Sequence, residues 1–293
     1  MKRRFRITLI LLLIQIPWLV ASGAEPAPLS PEFQDYWFSG LAELDRYELS
    51  QSRYGELVAG DAVLIFVTED FLPDKQVKAD SSDRAATGAV PVLKVNFTKK
   101  FNTGIYPYSV MTSSFLPLHP GNPPRVLKVT ASVQEWCGHV FSQMNLRKNR
   151  YQVRSFSYFE SEGDRKESVD AAMAEDGVWG LIRLDPARLP TGKFKMIPGA
   201  EYRRLKHRPA ESEPVEAELR KPEGELWTYR LHYPGTGRTL EIDFHAVFPH
   251  IIEGWREIDG LTTTAVRTHT LRNAYWENHS PEDQLLRRKL GLR

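Results

Sequence analysis

The sequence predicts a mainly β protein, built as one large antiparallel curved sheet, half-barrel or barrel with one or two short helices. Three observations carry that prediction. Apolar and polar residues alternate with period 2 in segment after segment, the pattern of strands with one buried and one wet face. Gly, Pro, Asp and Asn punctuate those segments where turns are needed. Helix-start signals are few, so a parallel sheet, which needs a crossover helix between strands, is not expected.

The N-terminus is read first, because it decides where the rest works. Residues 1–24 have the build of an export signal: Lys2, Arg3, Arg4 and Arg6 precede an apolar run over 7–21, and Ser22, Gly23 and Ala24 offer small residues for cleavage. Gln15 and Pro17 interrupt the run and Glu25 and Pro26 follow it, which favours a cleaved signal over a spanning helix of ~20 apolar residues. Residues 25–293 are expected to form a single large β-rich domain, with a division into two halves near residue 211 as the alternative. Without the four basic residues of the signal, the 39 Lys and Arg fall to 35 against 37 Asp and Glu. No cationic excess is then left for general nucleic-acid binding. The local basic run Arg203-Arg204-Leu205-Lys206-His207-Arg208 is expected to be a solvated strand face. The single cysteine, Cys137, excludes an intramolecular disulfide, and no cysteine lies near the cleavage site to accept a lipid. A periplasmic or secreted monomer is expected, with peripheral or no membrane association and no cofactor.

Taken in order, strands are expected at 41–54, 62–67, 90–97, 106–116, 126–136, 139–146, 151–160 and 194–205. Further strands follow at 215–220, 227–232, 239–248 and 261–271. The segment 62–67 is apolar on both faces and should be a central strand buried on both sides. Asp164 with Glu167 three residues on resembles a capping box and suggests a short helix through Ala174, weakened by Gly177 and Gly180. A second helix should start at Ser280, with Pro281 first inside it and Asp283 in the capping position, and stop at Gly291.

The sharpest local constellation surrounds Cys137. Val129, Ala131 and Val133 form the apolar parity of a strand, and continuing that parity puts Glu135, Cys137 and His139 on one inward face. A carboxylate, an imidazole and a thiol could form a nucleophilic set. Residues two apart on a strand are nevertheless about 6.5 Å apart with parallel side chains. The leading reading is therefore a polar patch lining a pocket, with Trp136 beside it. Glu135, Cys137 and His139 lack the paired spacing of zinc ligands, so no metal is expected. Glu69 and Asp70 are adjacent and should face opposite sides, salt-bridged to Lys75 and Lys78 rather than sharing a catalytic site. Lys94, Lys99 and Lys100, near Tyr106, form a polar rim able to hold an anionic head group. The abundant aromatics should be core or cross-strand pairs, some of them lining a cavity. The Gly-x-Ser-x-Gly elbow, the Walker loop, His-Glu-x-x-His and the dinucleotide fingerprint are all absent.

Several stretches together carry a resemblance. The runs at 66–78, 99–109 and 134–139, with Leu189-Pro190-Thr191-Gly192 and Ala274-Tyr275-Trp276, resemble an exported bacterial envelope protein family whose members are sometimes labelled septum formation inhibitor Maf. The Ser-x-Ser-Pro-Arg-Arg motif of Maf pyrophosphatases is absent, and the resemblance implies an envelope location without an assigned activity. The expectation is a noncatalytic periplasmic protein that binds a lipid, a glycan or an envelope protein. Its ligand-contacting candidates are Glu69, Lys99, Lys100, Tyr106, Glu135, Trp136, Cys137 and His139. The competing expectations are an envelope-acting hydrolase or transferase using Cys137 and His139 or the Glu69/Asp70 region, and an assembly scaffold.

Overall fold

The computed structural model describes residues 29–81 and 83–292; the expected export signal and its cleavage site lie outside the described residues. The first element is a short helix, α1 (Pro31–Trp37), whose start follows from local chemistry. The Ser30 hydroxyl caps the Phe33 amide and Pro31 occupies the first turn. The helix buries Phe33 and Trp37.

The strands then run in two meanders. The first comprises β1 (Ala42–Arg53), β2 (Glu56–Leu72), the short β3 (Val77–Lys78), β4 (Val90–Thr103), β5 (Tyr106–Pro117), β6 (Lys128–Glu135), β7 (Gly138–Arg147), β8 (Arg150–Phe156) and β9 (Arg165–Asp170). The second comprises β10 (Met173–Ala174), β11 (Gly192–Ile197), β12 (Glu213–Arg220), β13 (Leu226–Tyr233), β14 (Arg238–His245), β15 (Ile252–Asp259) and β16 (Leu261–Asn273). All neighbouring pairs are antiparallel except β10 with β11. Antiparallel pairing of β1 with β16 joins the meanders into one 16-stranded sheet.

The connectivity forces a curl. β9 and β10 sit at opposite ends of the strand order, yet only Ala171 and Ala172 separate them in sequence. Three Cα–Cα steps span at most about 11 Å, so the two edges meet at one corner without hydrogen-bonding to each other. The result is an unclosed barrel with a seam. The seam edges are protected: β9 carries Arg165, Lys166 and Glu167, and β10 is only two residues long.

Inside the curl lie α3 (Val178–Leu184), packed on β4 and β5, and α4 (Ala200–Leu205), packed on β5 and β6. α3 is buried from Val178 to Arg183. Gly180 faces the sheet, where a Cβ would stand 3.4 Å from both Leu116 and Val95, at ordinary contact distance. Trp179, Trp255 and Phe97 pack edge to face with ring centroids 5.0 to 5.3 Å apart. These aromatics are core, and they also line a small inner pocket beside Tyr202. Buried tyrosines satisfy their hydroxyls on carbonyls, Tyr47 on Ile252 at 2.9 Å and Tyr151 on Val126 at 3.0 Å.

The expectation for 62–67 holds. Ala62, Leu64 and Phe66 face the main core, whereas Val63 and Val67 join Ala42, Leu44 and Leu290 in a second cluster on the outside of the sheet. The outer cover is the C-terminal tail, where Ser280 and Asp283 form the expected capping box ahead of α5 (Gln284–Lys289). Gly291, at φ +71°, ends the helix.

Four expectations need correction. Helices number five among the described residues, the fifth being the short surface helix α2 (Arg84–Thr87). The segment expected as helix over 164–174 holds strand β9, whose pairing with β8 outweighs the capping signal, and then β10. The strand expected over 194–205 stops at Ile197, and residues 200–205 form α4 after Pro198 and Gly199. β15 was not expected, because a register shift against β14 and the consecutive buried residues Gly254 and Trp255 break its alternation. Residue 211 lies between α4 and β12, within the second meander, and the sheet's two edges meet at 170–173.

Candidate functional site

The outer face of the sheet carries an apolar groove of about 420 Å³. Its floor is the outward parity of β1, β2 and β5, with Leu44, Val63, Ile65 and Met111, and its roof is the tail, with Leu286 and Leu290. Met111 is 40% exposed, unusual for a methionine in the middle of a strand. Lys100, Asn273, Asn278 and Asp283 supply a polar rim. The groove exists because β2 is apolar on both faces and the tail covers only part of the outward one.

The inner face is different in kind. Arg183, on α3, is fully buried and has every nitrogen engaged. Nε donates to the Pro249 carbonyl at 2.8 Å, Nη2 donates to Glu43 at 2.9 Å, and Nη1 is held by Glu43 and lies 3.5 Å from Asp45. Tyr36 donates to the same Glu43 carboxylate. Burial opposes ionisation of Glu43, yet Arg183 holds its pKa down at about 2. Burial, and then repulsion from Glu43, push Asp45 well above the usual carboxylate range. The cluster thus sets two carboxyl groups, shifted in opposite directions, against one guanidinium.

A second inner cluster repeats the design. Arg238 donates both Nη groups to Glu175 at 2.6 and 2.8 Å and its Nε to Glu257 at 2.6 Å, over the Tyr202 ring at 4.1 Å. Lys99 reaches Glu201 at 2.8 Å. Asp176 accepts the Ala200 amide, and burial raises it to about 6.

A third inner feature is a cavity of about 260 Å³ between α4 and β7 and β8, lined by Val140, Ser142, Val153, Ser155, Arg203 and Arg204 among others.

The structure separates the residues expected to share an inward face. Glu135 pairs with Gly138 across the hairpin, leaving Trp136 and Cys137 as its two-residue turn. The turn breaks the parity. Glu135 is buried and accepts the Cys137 amide at 2.7 Å, while Cys137 and His139 are exposed. His139 sits opposite Gln134, on the outward parity. The hydrogen bond with Glu135 pushes the Cys137 thiol up, away from the thiolate a nucleophile needs. Trp136 is 67% exposed.

Glu69 and Asp70 diverge as expected, but their partners are Lys94 and Arg84, both at 2.6 Å, rather than Lys75 and Lys78. Lys99 and Lys100 point in opposite directions, one into the core and one to the groove rim. Tyr106 packs at a tilt against Tyr108, 5.7 Å between centroids, beside the Tyr54–Tyr108 hydroxyl pair at 2.8 Å. Among the described residues, no three His, Cys, Asp or Glu side chains gather as a metal-ligand set.

No family model matches the sequence, and no curated protein matches it. Among solved structures, the chain is similar to the beta-barrel-like protein of domain of unknown function DUF1849 from Brucella abortus. That similarity has 10% sequence identity and a TM-score of 0.48 over 79% of this chain and 97% of the other.

The sequence reading missed the inner charges for one reason and the groove for another. Glu43 and Asp45 share the parity of Tyr47 and Leu49 on β1, so carboxylates on an apolar face were a readable signal. Their partner Arg183 is 138 residues or more away, and only the fold brings it there. The groove depends on where the tail docks, which no local pattern encodes.

Proposed function

We propose that the protein is an exported, noncatalytic binding protein of the cell envelope and that its outer groove takes a single acyl chain of a lipid. The apolar groove of about 420 Å³ carries this reading. Its size lies in the range of small-molecule sites, ~300–1,000 Å³, and its polar rim includes the ammonium of Lys100 for an anionic head group. Ten buried methylenes would contribute about 8 kcal/mol, equivalent to micromolar affinity before the cost of ordering the chain. Export and envelope location rest on the basic-apolar-small pattern of residues 1–24. Among the described residues no helix is long and apolar enough to cross a membrane.

The noncatalytic part rests on the fate of the candidate nucleophile. Cys137 lies in a hairpin turn with a raised thiol pKa, and His139 faces outward beside it. Of the inner acids, Glu43, Glu175, Glu257 and Glu201 are held by Arg183, Arg238 and Lys99, and Asp176 by the Ala200 amide.

Titration with an environment-sensitive fluorescent fatty acid tests the groove. Wild-type protein should bind saturably with a blue shift, and Met111→Glu, which sets a charge in the apolar floor, should weaken binding at least about tenfold. Equal binding by both proteins would refute the assignment.

A further inference from the structure

We infer that the inner cavity between α4 and the strands β7 and β8 is a binding site for a phosphomonoester group, separate from the outer groove. The cavity, about 260 Å³, is lined by Arg165, Arg203, Arg204 and Arg208 against Glu162 and Glu167. Arg208 is paired with Glu213 at 2.7 Å, which leaves the site with an excess of one positive charge to attract a phosphomonoester of ≈ −1.5 to −2 charge near pH 7.

Arg203 decides the matter. It is only 7% exposed, and its Nε is bound to the Pro198 carbonyl at 2.9 Å. Neither of its Nη groups has a hydrogen-bond partner or a carboxylate at ion-pair distance among the described residues. The acids around it are committed elsewhere. Glu175 is taken by Arg238, Asp176 accepts the Ala200 amide, and Glu162 serves Ser157, His207 and Arg204. Glu167 lines the cavity without reaching Arg203. Burial lowers the Arg203 pKa although Asp176, Glu175 and Glu167 pull it up, the behaviour of a buried cation short of a counter-charge.

A guanidinium whose outer edge is free suits a bidentate contact with a tetrahedral oxyanion. Ser142 and Ser155, a directly opposed cross-strand pair on the cavity wall, add two hydroxyl donors. Val140 and Val153 beside them make that wall apolar, which strengthens a charge interaction there. No bond is made or broken; the site holds the group.

The test is isothermal titration of the intact protein with inorganic phosphate, and separately with vesicles of phosphatidic acid in phosphatidylcholine against phosphatidylcholine alone. Saturable phosphate binding is expected. Arg203→Gln should weaken it about ten- to a hundredfold and Ser155→Ala, a milder change that keeps the fold, about three- to tenfold. Arg150→Gln, at an exposed arginine outside the cavity, should leave it unchanged. Binding of phosphatidic acid vesicles but not free phosphate, with the same dependence on Arg203 and Ser155, assigns the site to a lipid head group. Failure of both ligands to bind, or binding that survives both cavity substitutions, overturns the proposal. Fatty-acid binding in the outer groove is read out separately, so either assignment can fall without the other.

Discussion

Arg183 and Arg203 are two buried arginines on two short helices inside the same curled sheet, and they differ in what surrounds the guanidinium. Arg183 engages Glu43, Asp45 and the Pro249 carbonyl with all three nitrogens. Arg203 uses one nitrogen on a carbonyl and turns the others toward a cavity. A saturated buried charge pins one element to another, here α3 to β1. One that lines a cavity with nitrogens left over is open to a ligand. Burial alone does not distinguish structural from binding residues; the partner count of each polar atom does.

The largest effect that could break this comparison is on stability. Arg183→Met strands the Glu43 carboxylate in the core and should cost about 3–5 kcal/mol in denaturant unfolding. Arg203→Gln in the same assay should change stability by less than about 1 kcal/mol, or raise it, because no paired charge is orphaned. Comparable losses in the two variants would erase the distinction.

The next effect is pH dependence. The folded pKa of Asp176 is about 6, above the ordinary unfolded value of about 3.9. The folded state therefore holds the proton more tightly, and its contribution is fully present below about pH 4. It is lost as pH rises through about 6, a change on the order of 3 kcal/mol. Asp45 shifts in the same direction, so the clean measurement is the difference between wild type and Asp176→Asn across that window. The variant should lose part of the downward slope; an unchanged slope would show that Asp176 ionises normally in the fold.

The smallest effect is expected at the residue that looked most chemical. Cys137→Ala, at an exposed turn, should move the unfolding midpoint by no more than about 0.5 kcal/mol and leave fatty-acid binding intact. A loss of fatty-acid binding there would reopen the thiol as a ligand contact.

The legibility of the chain follows the range of the interactions. Alternation along 215–220, 227–232 and 239–248 announced β12, β13 and β14, because strand faces are set by neighbours two residues away. The two-sided apolar run 62–67 announced a strand with both faces covered. The parity from Val129 to His139 misled, because a two-residue turn at Trp136 and Cys137 restarts the count. The basic run 203–208 looked like a solvated strand face, but Pro198 and Gly199 turn the chain into α4 and bury Arg203. Groove and cavity were both invisible locally, since the groove is walled by segments from Leu44 to Leu292 and the cavity by separate segments from Val140 to Ala210.

The proposal that the outer groove carries an acyl chain is tested most directly by native mass spectrometry of wild type and Met111→Glu, purified without detergent from the same bacterial host. Wild type should show a reproducible excess mass that fragments to a lipid, and Met111→Glu should show the bare mass. A bare wild-type protein, or the same adduct on both proteins, would contradict the account.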